Sequence, residues 1–198
     1  MGNHKKPEHA MNHLPPLRLT GGQVLRDGAL QARSIALAEG KITDMALPEV
    51  DLSGFLILPG IVDLHGDGFE HHMAPRPSAP FPMGSGFASF DREAAAHGVT
   101  TAYMAQSWSW EGAHRAPDHA EALLAALEVY RPRALPDRPR ALTDRGKLTP
   151  GMRADLVVVN EGTRAIEATI TAGRLSHLSG EAGRRFMAQP QMERVAAE

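Results

Sequence analysis

The sequence of 198 residues contains no cysteine, few aromatic residues and no long apolar run. Without cysteine, the chain has no disulfide framework, no thiolate zinc site and no cysteine nucleophile. The formal net charge of −2 leaves no excess of basic residues for binding nucleic acid or an anionic membrane surface. The apolar runs at 55–58 and 156–159 are far too short to span a bilayer. We therefore expect neither a nucleic-acid nor a membrane partner.

The first residues contain no apolar stretch of the kind found in secretory signals, which predicts a cytoplasmic protein. Residues 1–16 are polar and have no hydrophobic period, which predicts a disordered lead. After them, short apolar segments are separated by Gly21-Gly22, Asp27-Gly28 and Glu39-Gly40. These pairs are typical of hairpin turns, because glycine tolerates the positive φ that such turns need. The pattern predicts a small antiparallel meander.

A second group of β-like segments lies between residues 155 and 175. Since chain termini often lie close together in space, we predict one β-sandwich composed of residues 17–51 and 141–178. Residues 179–198 are predicted to form a C-terminal tail.

The segment between the two β groups has a different pattern, in which predicted strands alternate with predicted helices. Residues 61–65 predict a buried strand, and residues 89–97 predict a short helix ended by Gly98. Another strand is predicted from Val99, and another helix begins at Pro117, with its leucines at helical spacing. Strand, helix, strand and helix in this order are typical of the start of a parallel sheet or a parallel barrel. We therefore predict a parallel α/β unit over residues 52–136, whose end overlaps a proline- and arginine-rich junction at 131–140.

The tripeptide His65-Gly66-Asp67 directly follows the first of these strands. Residues i and i+2 of a strand project to the same side, so the imidazole and the carboxylate are expected to point together beyond the strand end. Both groups are ligands for zinc, manganese or iron. A turn with a hydrogen-bonded His and Asp fits the same spacing, so the tripeptide alone leaves both interpretations open.

Longer strings around this tripeptide carry a resemblance to a known family. Leu58-Pro59-Gly60-Ile61-Val62-Asp63-Leu64-His65 resembles the first barrel strand of the amidohydrolase superfamily, which usually has a second histidine where this chain has Asp67. Further strings are similar to the phosphonate-metabolism branch of that superfamily, in the carbon–phosphorus lyase pathway: His65-Gly66-Asp67, Phe69-Glu70, Met73-Ala74-Pro75-Arg76-Pro77, Gly98-Val99-Thr100-Thr101, Trp108-Ser109-Trp110-Glu111, Leu142-Thr143-Asp144-Arg145-Gly146 and Arg153-Ala154-Asp155-Leu156-Val157-Val158-Val159.

The resemblance implies an α/β plus β fold class, in which a β-sandwich from both chain ends accompanies a truncated (β/α)8 amidohydrolase barrel, so that residues 52–136 are a partial (β/α) barrel. It implies a divalent metal, zinc before manganese or iron, with His65 and Asp67 as ligands from the first strand. Metal-bound hydroxide would attack the triphosphate of a ribose phosphonate and release pyrophosphate. The implied partner is therefore a small-molecule substrate.

Other residues are weaker candidates. Arg76 lies between two prolines, and a guanidinium held in this way suits a phosphate group. Trp108, Trp110 and Glu111 follow the second strand, where the active sites of barrels gather, although buried packing is the ordinary role of tryptophan. Glu70 is a candidate to support the metal ligands, or else a solvated loop carboxylate. We interpret His71 and His72 as loop residues.

The chain departs from the family pattern in length. A complete barrel takes about 250 residues, whereas residues 52–136 have room for two or three strand–helix units. The later lysine, histidines and aspartate that the family uses as ligands are missing, so no catalytic residue is assigned. A non-catalytic remnant, a β-sandwich assembly module and another amidohydrolase activity, either a deaminase or a cyclic amidase, remain as alternatives.

Loss of barrel strands also has an energetic consequence. Each large side chain left exposed forfeits roughly 1.5–3 kcal/mol. The sequence therefore predicts marginal folding that depends on a partner or on homo-oligomers. The apolar positions expected to lose their partners are Leu56, Ile57, Ile61, Val62, Leu64 and the strand 99–104.

Overall fold

A computed structural model describes residues 13–76, 81–105, 117–130, 142–190 and 192. In these ranges the strands are β1 (Leu17–Thr20), β2 (Gln23–Arg26), β3 (Ala29–Ala32), β4 (Ile35–Ala38), β5 (Lys41–Thr43), β6 (Glu49–Asp51), β7 (Phe55–Pro59), β8 (Ile61–Gly66), β9 (Val99–Met104), β10 (Leu156–Asn160), β11 (Ile166–Thr171) and β12 (Arg174–Leu178). The helices are α1 (Phe69–Met73), α2 (Met83–Ala96), α3 (Pro117–Tyr130) and α4 (Gly180–Met187).

Two sheets face each other across the main hydrophobic core. The first has four strands in the order β5-β4-β1-β6, and the second has six strands in the order β12-β11-β10-β7-β2-β3. The six-stranded sheet therefore combines strands from both ends of the chain. Buried side chains of both sheets and of α4 fill the space between them: Leu17, Leu19, Val24, Ile35, Leu37, Ile42, Val50, Phe55, Ile57, Leu156, Val158, Ala168, Ile170, Ala182 and Phe186.

Turn residues account for two of the antiparallel strand pairs. Asp27 (φ 51°) and Gly28 (φ 78°) connect β2 to β3, while Glu39 (φ 50°) and Gly40 (φ 74°) connect β4 to β5. Positive φ at both central residues is the signature of the turn that fits the twist of a hairpin. The predicted meander is nevertheless wrong at Gly21-Gly22. There the chain passes from β1 in one sheet to β2 in the other, and β1 pairs with β4 and β6.

Strand β7 lies in the sandwich, although residue 52 was expected to begin the barrel segment. It pairs antiparallel with β10 and parallel with β2. Ile57 enters the core between the sheets and Leu56 packs on the opposite face of the sheet, beside Val157. The expectation that Leu56 and Ile57 lose their partners is therefore wrong, because the sandwich buries both.

The remaining elements form a second unit, which we call the βα fragment: β8, β9, α1, α2 and α3. Strands β8 and β9 pair in parallel as a two-stranded sheet. The fragment has its own small core of helix residues and Ala102 of β9: Phe69, Met73, Phe87, Phe90, Ala94, Ala102, Leu123 and Leu127. Its helix α2 begins at Met83 rather than Ser89, and Gly98 (φ 80°) follows its C-cap as predicted.

Residues 61–65 were expected to form a buried strand, but strand β8 is partly exposed to solvent. Leu64 is 67% exposed and Ile61 is 48% exposed. In the described ranges β8 pairs with β9 alone, so its other edge has no strand beside it. The exposure expected at Ile61 and Leu64 is therefore present. In β9, by contrast, Thr100, Thr101 and Ala102 are fully buried.

Two further expectations need correction. The predicted tail contains α4, whose Ala182 and Phe186 are buried in the sandwich core. The leucine stripe of α3 is also narrower than predicted, since Leu123 and Leu127 are buried but Leu124 is 61% exposed. The lead predicted to be disordered covers residues 1–16, of which residues 1–12 lie outside the described ranges. Its last residues are ordered, since His13 forms a β-bridge with Arg174 of β12 and the Leu14 N–H donates to the Gly173 carbonyl over 2.9 Å.

Candidate functional site

His65 and Asp67 lie together at the carboxyl end of β8. Their side chains point the same way, with 3.7 Å between His65 Nε2 and Asp67 Oδ2. Both side chains are open to solvent, at 81% and 57% exposure. The carboxyl end of the parallel neighbour β9 lies beside them, because the Ala105 N–H donates to the Gly66 carbonyl over 3.1 Å. This is the edge of a parallel sheet at which ligands commonly bind.

The local backbone explains why the pair projects outward. Asp63 Oδ1 accepts a hydrogen bond from the His65 N–H over 3.0 Å, and the Asp67 N–H donates to the His65 carbonyl over 3.0 Å. A side chain at Gly66 would have its Cβ only 3.1 Å from the Tyr103 carbonyl oxygen of β9. Glycine therefore lets the two strand ends approach each other while the flanking side chains remain free to bind a ligand.

The pair supplies two groups that suit a divalent metal, but a closed or catalytic zinc centre needs at least three protein ligands. Within the residues that the structure describes, no group of three or more His, Asp or Glu side chains is placed to hold a metal. The described residues therefore do not fit a complete metal centre, and no reaction step is derived through one.

The neighbouring candidates have different surroundings. His71 and His72 lie in α1 rather than in a loop, and His72 Nε2 lies 2.6 Å from Glu93 Oε2 of α2. Glu70 is half-buried in the first turn of α1, and Arg76 is exposed beyond its end. Nothing in the described part of the chain brings Arg76 to the pair. Trp108, Trp110 and Glu111 lie outside the described residues, as does the junction at 131–140.

Sequence reasoning missed a buried group of polar side chains between the sandwich and the βα fragment. We call it the polar junction: Thr101, Arg145, Asp155 and Thr171, all of them buried. Arg145 donates from Nη1 to Thr101 Oγ1 of β9 over 3.1 Å, and the same nitrogen lies 3.7 Å from Asp155 Oδ2. Asp155 Oδ1 accepts hydrogen bonds from Arg153 Nε over 3.0 Å and from the Ala172 N–H over 2.7 Å.

The buried position of the polar junction shifts the pKa of its carboxyl group, Asp155. Burial raises the pKa of Asp155 above its ordinary value, although Arg153, the Ala172 N–H and Arg145 all favour the ionised form. Sequence signals for this group were weak. In the sequence, Arg153-Ala154-Asp155 stood out only as part of a string that resembles the family. Thr101 lies 44 positions from Arg145, so no local pattern connects the two residues.

A scan against protein-family models finds no match for this chain. Among curated proteins, the alpha-D-ribose 1-methylphosphonate 5-triphosphate diphosphatase of Escherichia coli (strain K12) is 32% identical over 75 residues. That similarity covers 37% of this chain and 20% of the diphosphatase. The match therefore spans about a fifth of the length of the curated relative.

Solved structures with partial likeness include two deacetylases and a hydantoinase. The N-acetyl-D-glucosamine-6-phosphate deacetylase D267A mutant of Mycobacterium smegmatis has a TM-score of 0.44 at 17% identity, covering 62% of this chain and 31% of that one. The Pasteurella multocida N-acetylglucosamine-6-phosphate deacetylase has a TM-score of 0.43 at 12% identity, over 58% and 30%. The D-hydantoinase of Bacillus sp. AR9 has a TM-score of 0.40 at 18% identity, over 62% and 26%. Likeness at this level does not establish a shared fold.

None of the helices in the described ranges has both the length and the apolar character needed to cross a membrane.

Proposed function

We propose that this chain is of the amidohydrolase type, related to the ribose phosphonate triphosphate diphosphatase. It retains the first-strand ligand pair of a metal-dependent hydrolase, and the residues that the structure describes do not complete the metal centre. The observation that carries the proposal is the His65–Asp67 pair, held 3.7 Å apart at the carboxyl end of a parallel strand. The 32% identity over 75 residues with the diphosphatase supports the same assignment.

The chemistry of the pair supports cation binding. A neutral imidazole and a carboxylate are good ligands for zinc, and the exposure of both leaves room for a hydrated ion. When bound in a complete centre, such a metal lowers the pKa of its water and supplies a hydroxide nucleophile. With only this pair among the described residues, we expect weak binding and no turnover.

Zinc titration of the metal-free full-length chain by calorimetry tests the assignment. We expect weak binding at one ion per chain, lost in His65→Ala and in Asp67→Ala because each variant removes one of the two ligands. His71→Ala is the matched control, since it removes an exposed histidine six positions away in α1. Zinc binding that is unaffected by either ligand variant would overturn the proposed site.

A second assay tests whether the full-length chain hydrolyses a triphosphate, although the described residues supply only the ligand pair. Pyrophosphate release from a ribose 5-triphosphate is measured with zinc, manganese or iron(II) in excess, and we expect none above the background. Metal-dependent release that disappears in Asp67→Ala would contradict the incomplete centre and support diphosphatase activity. Hydrolysis of a cyclic amide, or deamination, with the same dependence would favour another amidohydrolase activity.

A β-sandwich assembly module is a second candidate. It is favoured by the difference in core packing between the sandwich and the βα fragment. The sandwich has a filled core of its own, whereas β8 leaves Leu64 67% exposed. In this alternative the sandwich recruits a partner and the ligand pair has no role. Zinc binding that requires both His65 and Asp67 favours the first proposal, while partner capture unaffected by either variant favours the second.

A further inference from the structure

The polar junction contains two buried atoms whose hydrogen bonds are not satisfied. In the described part of the chain, Asp155 Oδ2 and Thr171 Oγ1 are enclosed and have no hydrogen-bond partner. A buried polar group without a hydrogen bond destabilises the folded state, so natural proteins rarely leave two together without a bound molecule to satisfy them.

Strand alternation puts both atoms on the same side of the six-stranded sheet. Leu156, Val158, Ala168 and Ile170 point into the sandwich core. Their neighbours in sequence therefore point the other way, toward the βα fragment. Thr169 confirms this direction, because its Oγ1 donates to the Ala95 carbonyl of α2 over 2.7 Å.

The register also places the two residues next to each other. Leu156 is opposite Ile170 and Val157 is opposite Thr169, so Asp155 continues the antiparallel ladder opposite Thr171. The hydrogen bond from the Ala172 N–H to Asp155 Oδ1, over 2.7 Å, agrees with this position. Arg145 is the third polar residue at this place. Its Nη1 lies 3.7 Å from Asp155 Oδ2, which is too far for a direct hydrogen bond.

The chemistry of these groups limits what can bind between them. The guanidinium of Arg145 opposes a metal cation, and the carboxylate of Asp155 opposes an anion. A guanidinium donates, a carboxylate accepts, and a hydroxyl does both. A small neutral molecule with two donors and two acceptors matches that set.

We propose that the polar junction is a binding site for one internal water, which bridges Asp155 Oδ2, Thr171 Oγ1 and Arg145 Nη1. Buried waters typically make about three hydrogen bonds to polar groups that would otherwise be unsatisfied. The water connects β10 and β11 of the sandwich to Arg145, which in turn holds Thr101 of β9. The site does not depend on the proposed function, since neither His65 nor Asp67 is among the groups that form it.

A crystal structure of the full-length chain tests the proposal, together with the variants Thr171→Ser and Thr171→Val. Serine keeps the hydroxyl, whereas valine keeps the shape and removes it. We expect an ordered water within hydrogen-bonding distance of Asp155 Oδ2 in the wild type and in Thr171→Ser, and its loss in Thr171→Val. Magnetic relaxation dispersion should count one long-lived water fewer in Thr171→Val than in Thr171→Ser.

Two results would overturn the site. One is a direct hydrogen bond between Thr171 Oγ1 and Asp155 Oδ2 in the wild type, with no water between them. The other is an unchanged number of long-lived waters across all three proteins. If Thr171→Val does not fold, the wild-type and Thr171→Ser structures still decide whether the water is present.

Discussion

The β-sandwich and the βα fragment are parts of one chain, but they differ in how completely they are closed. In the sandwich, two sheets and α4 cover a continuous core in which Leu19, Ile57, Leu156 and Phe186 are fully buried. In the fragment, helices cover one side of β9, while Leu64 of β8 remains 67% exposed. In the part of the chain that the structure describes, the sandwich thus contains the partners its strands need, whereas the fragment contains only some of them.

The largest effect is expected from a cavity in the fragment core. Phe87 is fully buried, with its ring 5.6 Å from that of Tyr130 and 5.9 Å from that of Phe69. Phe87→Ala should cost about 3–5 kcal/mol, because it removes buried area and leaves a cavity. Hydrogen exchange should then quicken in β8 and β9 but not in β10 and β11, as expected if the fragment opens locally.

Phe81→Ala is the matched control, since Phe81 is 56% exposed. It should leave exchange in both regions near the wild-type rates. Equal acceleration of all four strands by Phe87→Ala would mean that the two regions unfold as one unit.

A leucine pair compares the sandwich with the fragment directly. Leu156 is fully buried in β10 and Leu64 is exposed in β8. Leu156→Ala should destabilise the chain by about 2–5 kcal/mol. Leu64→Ala should stay within about 0.5 kcal/mol, as for other exposed positions. Urea unfolding measures both, and similar losses in the two variants would contradict the structural contrast.

The exposed apolar side chains of β8 should also be detectable in the folded protein. The wild type should bind a hydrophobic dye and elute early in size-exclusion chromatography, because contiguous exposed apolar groups favour association. Leu64→Lys should lower both signals. Leu30→Lys adds the same charge at a leucine that is 49% exposed in β3, and it should have less effect. Equal effects would argue against a special role for β8.

The smallest effect is a pH dependence at the contact between the sandwich and α2. Burial lowers the pKa of His177 below its ordinary value, aided by the nearby His97 and opposed by a backbone hydrogen bond involving Ile166. The unfolded chain therefore binds a proton more readily than the folded one. His177 should cost stability as the pH falls from its unfolded pKa, about 6.5, through its lower folded pKa.

Thermal unfolding as a function of pH tests this sign. His177→Asn should flatten the acid side of the curve, because asparagine keeps a polar side chain but does not bind the proton. A wild-type curve that rises on acidification in this window, and does so only when His177 is present, would show that the sign is reversed.

Local sequence signals predicted the features that depend on few residues. Asp27-Gly28 and Glu39-Gly40 form the expected hairpin turns, and Gly98 follows the end of α2, because each of these positions contains a glycine, which tolerates positive φ without a steric cost. The i, i+2 spacing of His65 and Asp67 likewise predicted that the two side chains point the same way. Whether they bind metal stays a prediction.

Features that depend on distant partners could not be predicted in this way. The apolar run at 55–58 is buried on both faces, so its lack of alternation does not distinguish a barrel strand from a sandwich strand. The start of α2 contains Gly84 and Gly86, which disfavour a helix locally. Gly86 is kept in the helix by its close approach to Met73 of α1. The polar junction joins residues from both sides of the segment 106–141.

The pairing of β7 with β10 has a consequence for how this protein could change during evolution. These strands are adjacent in space, yet they flank the entire βα fragment in sequence. The fragment is thus an insertion within a split domain whose two halves meet independently of it. Strand–helix units can then be gained or lost between the halves while the host domain keeps its hydrogen-bonded seam, so this architecture tolerates large differences in length at a single point.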